Sequence, residues 1–150
     1  MRKSLVVVTL VLLFAFVAQF VFAAVGAFTR PGGDGAYVLH SVTGMMVIPV
    51  LILLTILIAV LAKAPGRLVG QASLTLGLVV LQPFIAMLAR AFNDAAGTST
   101  GVGLTIGGLH ALNAIIVVHV AVGVHRAARK LAEPAPADPT PVGVREVEPA

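Results

Sequence analysis

The 150-residue chain has no cysteine and only six acidic residues. The first absence excludes disulfides, thiolate metal sites, iron–sulfur clusters and covalently attached c-type haem in this chain, so a metal here would need histidine or oxygen ligands. The second matters through position. Asp34 and Asp94 fall between apolar runs, the other four acids follow Leu131, and none lies inside a run. A transporter or proton-linked carrier wants acids at membrane depth and ranks last on that ground. P-loop, GxSxG and HExxH patterns and internal repeats are also missing, which removes the familiar nucleotide and hydrolase signals.

What is present is apolar. Hydrophobic residues make up 59% of the chain and charged ones 11%, and mean hydropathy is +1.05, well outside the composition of a soluble domain. Four runs, 5–28, 36–61, 68–87 and 102–124, each reach the ~20 residues a helix needs to cross hydrocarbon. Lipid offers backbone amides no partners, so these runs must be helical, and short connections such as TRPGGDGA and KAPGR make sequential helices neighbours. The expected fold is therefore all-α, a four-transmembrane-helix antiparallel bundle over residues 1–130. Pro49 and Pro83 fall inside the second and third helices and are expected to bend them.

Arg2, Lys3, Lys63, Arg67, Arg126, Arg129 and Lys130 flank one side of the spans, against Arg30 and Arg90 on the other. The positive-inside rule then puts both termini in the cytoplasm, with a multi-pass protein in a bacterial plasma membrane. The basic balance reflects topology and lipid contact, and nucleic acid is not an expected partner. The basic start and the Val21-Phe22-Ala23 triplet resemble a signal peptide, but the run is about twice the usual apolar length, so a retained first helix is expected. Residues 131–150, EPAPADPTPVGVREVEPA in their greater part, carry five prolines and four acids and read as a disordered cytoplasmic tail.

Polar groups inside a membrane are costly and few, and here they concentrate. Gln19 lies on the first helix, His40 on the second, Gln82 on the third, and His110, Asn113 and His119 on the fourth. Counting about 1.5 Å per residue from the non-cytoplasmic ends puts His40 roughly 6 Å deep and His110 roughly 10–12 Å deep, levels that can coincide. Small residues accompany both: Gly44 one turn from His40, and Gly103, Gly107, Ala111 and Ala114 beside His110. His110 and His119 point to nearly opposite faces, so one planar cofactor cannot take both. His119 is expected to make a polar packing contact, and His125 to be solvated.

Two functions fit this pattern. In the first, His40 and His110 ligate the iron of a b-type haem, a candidate site that also includes Asn113, Gln82, Gln19 and Gly44, with Arg90 pairing a propionate. Such a protein would carry electrons to or from a quinone or a redox partner protein. In the second, the same polar groups only fix helix pairing in a structural or accessory membrane subunit without a cofactor.

The segments AQFVFAAVGAF, LHSVTGMM, LQPFIA and LHALNAIIVVHVAVG, in this order, resemble a family of short bacterial four-helix integral membrane proteins, a domain of unknown function. The resemblance covers about residues 5–130, maps its pattern onto Gln19, His40, Gly44, Gln82, His110, Asn113 and Ala114, and implies no assigned activity. It leaves out His119 and His125. A looser similarity links the arrangement to haem-b membrane cytochromes at the level of fold.

Overall fold

A computed structural model describes residues 1–33 and 35–134. Four helices account for nearly all of them: α1 (Arg2–Phe28), α2 (Val38–Leu61), α3 (Gly66–Ala91) and α4 (Gly101–Ala132), each long and apolar enough to cross a membrane. There is no strand among the described residues. The all-α expectation holds; α1, α3 and α4 extend beyond the expected runs, while α2 starts two residues later than expected. α4 runs on to Ala132, carrying Arg126, Arg129 and Lys130 as its last helical turns, because a helix leaving the hydrocarbon keeps its internal hydrogen bonds. Most of the expected tail, residues 135–150, lies outside the described residues.

Each helix packs on its neighbours in chain order, and α4 closes the ring against α1. α1 and α3 therefore stand on one diagonal of the bundle, α2 and α4 on the other. Large apolar side chains on the outer faces, such as Phe14, Leu53, Leu74 and Ile115, are exposed, a surface that lipid solvates and water does not.

The interior is built in two apolar layers, each fed by all four helices. Nearest the termini, Leu5, Val8, Ala59, Leu68, Ala72, Val124 and Ala128 form one cluster. Above it Leu12, Phe16, Ile48, Ile52, Val79, Val117 and Ala121 form the second. Thr9, Thr55 and Thr75 are buried among these residues, and each hydroxyl donates to the carbonyl four residues back, so none is left unpaired.

α2 is interrupted. Residues Thr43–Val47 form one π-helical turn, and Ile48 donates its N–H to the Thr43 carbonyl five residues back. Pro49 follows at the start of the next α-helical stretch, where its missing N–H is tolerated. The expected irregularity at Pro49 thus takes the form of a widened turn just before the proline.

The third connection is tied down by hydrogen bonds. Asp94 accepts from the Ala96 and Thr98 amides, and Thr100 caps α4 by accepting from Gly103 N.

Candidate functional site

Above the second apolar layer the bundle stops being filled. Phe16, Ile48, Val79 and Val117, the top of that layer, are also the floor of a cavity of about 630 Å³ lined by all four helices. Gln19, His40, Gly44, Gln82, Arg90 and His110 line it, so six of the seven expected site residues meet around one space. Asn113 does not. Its Nδ2 donates to the Leu78 carbonyl at 2.9 Å, away from the cavity, and the side chain is buried against α3.

The two imidazoles come from diagonally opposed helices. Their ring centroids lie 6.4 Å apart, with ring planes at 52°. Each ring is fixed through Nδ1: His40 Nδ1 lies 3.1 Å from the Gln19 main-chain oxygen, and His110 Nδ1 lies 3.2 Å from that of Gln82. A carbonyl oxygen only accepts, so these contacts assign the ring proton to Nδ1 and leave the lone pair on Nε2 of both histidines.

Gln19 answers His40 reciprocally. Its Nε2 donates to the His40 main-chain oxygen at 3.0 Å, and the same nitrogen lies a long 3.4 Å from His40 Nε2. This exchange requires Gly44: a Cβ there would sit 2.5 Å from Gln19 Nε2. The space beside His40 that Gly44 leaves is taken by the Gln19 amide. On the other side of the site, Ala111 and Ala114 line the cavity, while Gly103 makes room for the Ala89 carbonyl.

Two acceptors in this region have no hydrogen-bond partner, the buried Oε1 atoms of Gln19 and Gln82. Together with the two Nε2 lone pairs they make the interior of the cavity rich in acceptors. Such a lining suits a cation or a hydrogen-bond donor. Arg90 also lines the cavity and is exposed, one residue before α3 ends at Ala91.

Sequence reasoning missed Tyr37, the only tyrosine in the chain. Its ring meets His40 edge-on, with centroids 6.3 Å apart and planes at 78°, and packs where Gly26 offers no Cβ. Its place three residues before His40 at a helix start was the available signal. The two remaining histidines also depart from expectation. His125 is not simply solvated: its Nδ1 lies 2.9 Å from Thr9 Oγ1, whose single proton goes to the Leu5 carbonyl, so the ring donates and ties α4 to α1. His119 is exposed on α4, and among the described residues it makes no polar contact of the kind expected of it.

No group of three or more His, Cys, Asp or Glu residues able to hold a metal occurs among the described residues. A metal bound here by protein side chains alone would rest on the two imidazoles.

Fold and site together define a multi-pass four-helix membrane protein with an acceptor-lined cavity in the half of the bundle away from its termini. Residues 19–90 match the model of a family of unknown function, DUF6220. That stretch contains Gln19, His40, Gly44, Gln82 and Arg90 and ends before α4, so it is shorter than the 5–130 expected from resemblance and leaves out His110. No curated protein and no solved structure matches the chain.

Proposed function

We propose that the cavity binds a b-type haem, with His40 and His110 as axial ligands, in a small membrane electron carrier. The observation that carries this reading is the pair of diagonally opposed imidazoles, 6.4 Å between centroids, each with Nδ1 on a main-chain carbonyl. A haem iron would be held by the two imidazoles through their Nε2 lone pairs, the Nδ1 protons being already engaged. Nδ1–H donation to a carbonyl is also the outer contact that ligating histidines commonly make.

The container suits the cofactor. About 630 Å³ falls in the range of small-molecule pockets, roughly 300–1,000 Å³. Ala23, Ala86, Ala111 and Ala114 leave flat walls, and Arg90 supplies a cation for a propionate. Binding at His40 Nε2 displaces only the long Gln19 contact. With the termini in the cytoplasm of a bacterial cell, the haem lies in the outer half of the plasma membrane. A haem held there would supply one-electron chemistry, for exchange with a quinone in the bilayer or a redox partner protein.

The test is the absorption spectrum of protein purified in detergent from haem-replete cells. A Soret band and a haemochrome spectrum are expected, both lost in His40→Ala and in His110→Ala while circular dichroism stays helical. A wild-type protein that stays colourless after reconstitution with haem refutes the reading.

A second reading keeps the same bonds without a cofactor. The reciprocal Gln19–His40 pair ties α1 to α2 and the His110–Gln82 bond ties α4 to α3, which is what an accessory subunit needs for helix pairing. It predicts that His40→Ala lowers stability in a protein that never shows a chromophore.

A further inference from the structure

Pro83 faces the bundle interior and is nonetheless exposed. At about 100° per residue it stands roughly 20° round α3 from Ala72 and roughly 40° from Val79, two buried residues of the apolar layers. Even so it is exposed, and it lines the cavity. An interior-facing residue left open marks a place where the neighbouring helix does not cover it.

That neighbour is α2. Its residues 38–47 pack on α1, whereas its packing on α3 is made by Ile48–Leu61. Beyond Ile48 the two helices part, and Ser41 and Met45 on α2, with Pro83 and Met87 on α3, all line the cavity and are all exposed. Met87 lies about 60° from Ala72 and about 160° from Gln71. Gln71 sits beside Gly123 of α4, so Met87 is on the side of α3 turned to α2. Across the bundle, between α1 and α4, an aromatic ring stands at the wall instead. Phe20 lies about 20° from Thr9, which meets His125 of α4, and Phe20 also lines the cavity.

The gap between α2 and α3 opens on hydrocarbon. Counted from the helix ends at Val38 and Ala91, Met45, Pro83 and Met87 lie about 6–12 Å down their helices, at about 1.5 Å per residue. Methionine suits such an opening, because its unbranched thioether chain adapts to what passes. Arg90 is the one Lys or Arg in the described cavity lining, and no acid lines it among the described residues. An anionic group on the occupant is its matching partner.

We infer that the cavity is filled sideways from the bilayer, through the gap between α2 and α3, by an apolar molecule bearing a carboxylate. The apolar body passes Met45 and Met87, and the carboxylate pairs with Arg90. The inference rests on the reading of the cavity as a ligand site and names the route and the chemistry of what enters. Haem has that chemistry through its propionates, and so has a long-chain fatty acid.

The experiment uses full-length protein in lipid vesicles. The chain has no cysteine, so Ala114→Cys, in the cavity wall, introduces a single small thiol there. Dodecyl methanethiosulfonate, dissolved in the bilayer, should label that thiol, and the trimethylammonium-ethyl reagent, confined to water, should not. Met45→Phe combined with Met87→Phe narrows the gap at two exposed positions and should suppress labelling by the dodecyl reagent. Leu53→Phe, on the outer face, should leave it unchanged. Stearate and haem, added to the membrane separately, are the two candidate occupants. Protection of the thiol by at least one is expected, and Arg90→Gln should weaken that protection roughly tenfold, the scale of one hydrogen bond to a charged group. Protection by stearate alone upholds the inference and counts against haem; protection by haem alone upholds both. Faster labelling by the charged reagent, labelling indifferent to the two phenylalanines, or protection by neither compound overturns the inference. Protection by haem in a protein labelled from water overturns it while leaving the haem reading in place.

Discussion

Gly44→Ala isolates the contact that seats His40. The new methyl group would lie 2.5 Å from Gln19 Nε2, so the amide must swing away and lose its 3.0 Å bond to the His40 carbonyl. A buried hydrogen bond broken in this way costs about 1–3 kcal/mol when its donor finds no replacement. Removing a helical glycine returns at most about 1 kcal/mol. The sum is a loss of roughly 0–3 kcal/mol. Gly107→Ala is the matched control: it lies in α4 with nothing within 4 Å of its Cβ, so only the gain applies and the variant should be as stable as the wild type or more so. Gly26→Ala should exceed both, because its Cβ meets the Tyr37 ring at 2.5 Å and the Ala36 main-chain oxygen at 2.9 Å, and a backbone atom yields less readily than an amide. Unfolding in dodecyl sulfate, followed by far-UV circular dichroism, gives the three midpoints. The expected order of stability is Gly107→Ala, then Gly44→Ala, then Gly26→Ala. If Gly44→Ala is as stabilising as Gly107→Ala, Gln19 does not occupy the place described, and the account of how His40 is held fails.

Thr9→Val removes the oxygen that accepts from His125 and leaves a ring N–H unpaired, at a cost of about 1–3 kcal/mol in the same unfolding assay. No change would mean that His125 is hydrated after all. Gln82→Leu removes an acceptor that has no partner and spares the main-chain oxygen used by His110. It should be neutral or stabilising in protein purified without haem, and a loss above about 1 kcal/mol would show that Oε1 is bonded. Asn113→Leu gives up one hydrogen bond to α3 at about 1 kcal/mol and, since the side chain does not line the cavity, should leave any Soret band unshifted. A shifted band would return Asn113 to the site.

How much of this was legible follows from which forces act locally. Four apolar runs set helix number and neighbour order, because hydrocarbon forbids unpaired backbone and short loops forbid crossing. The cost of polar atoms in lipid likewise picked out Gln19, His40, Gln82 and His110, all of which line the cavity. What stayed hidden depends on rotation and on the partner chosen. Asn113 sits near the azimuth of His110 yet bonds the Leu78 carbonyl, since α3 is the closer neighbour. Gly44 near His40 could have signalled ligand space or close packing, and it is the Gln19 amide that fills the gap. The π turn before Pro49 carries no periodic signal: a single widened turn barely alters the apolar pattern.

The two ends of the bundle divide the work of folding. At the end bearing the termini, two apolar layers fed by all four helices leave no buried polar side-chain atom unpaired among the described residues, and the three buried threonines are satisfied within their own helices. At the other end the same four helices enclose a cavity, two orphaned amide oxygens and two imidazoles, all features that lower stability if nothing occupies the space. The helix irregularities sit at this end as well: the π turn and the helix-interior Pro83 both border the cavity, one through Gly44 and Met45, the other directly. Widened helix geometry, small side chains and unspent acceptors therefore coincide in one half of the molecule, where each alone would be a minor defect. Packing strength at the termini end permits that concentration, and a bundle selected only for helix pairing would have no reason to gather its costs on a single diagonal between His40 and His110.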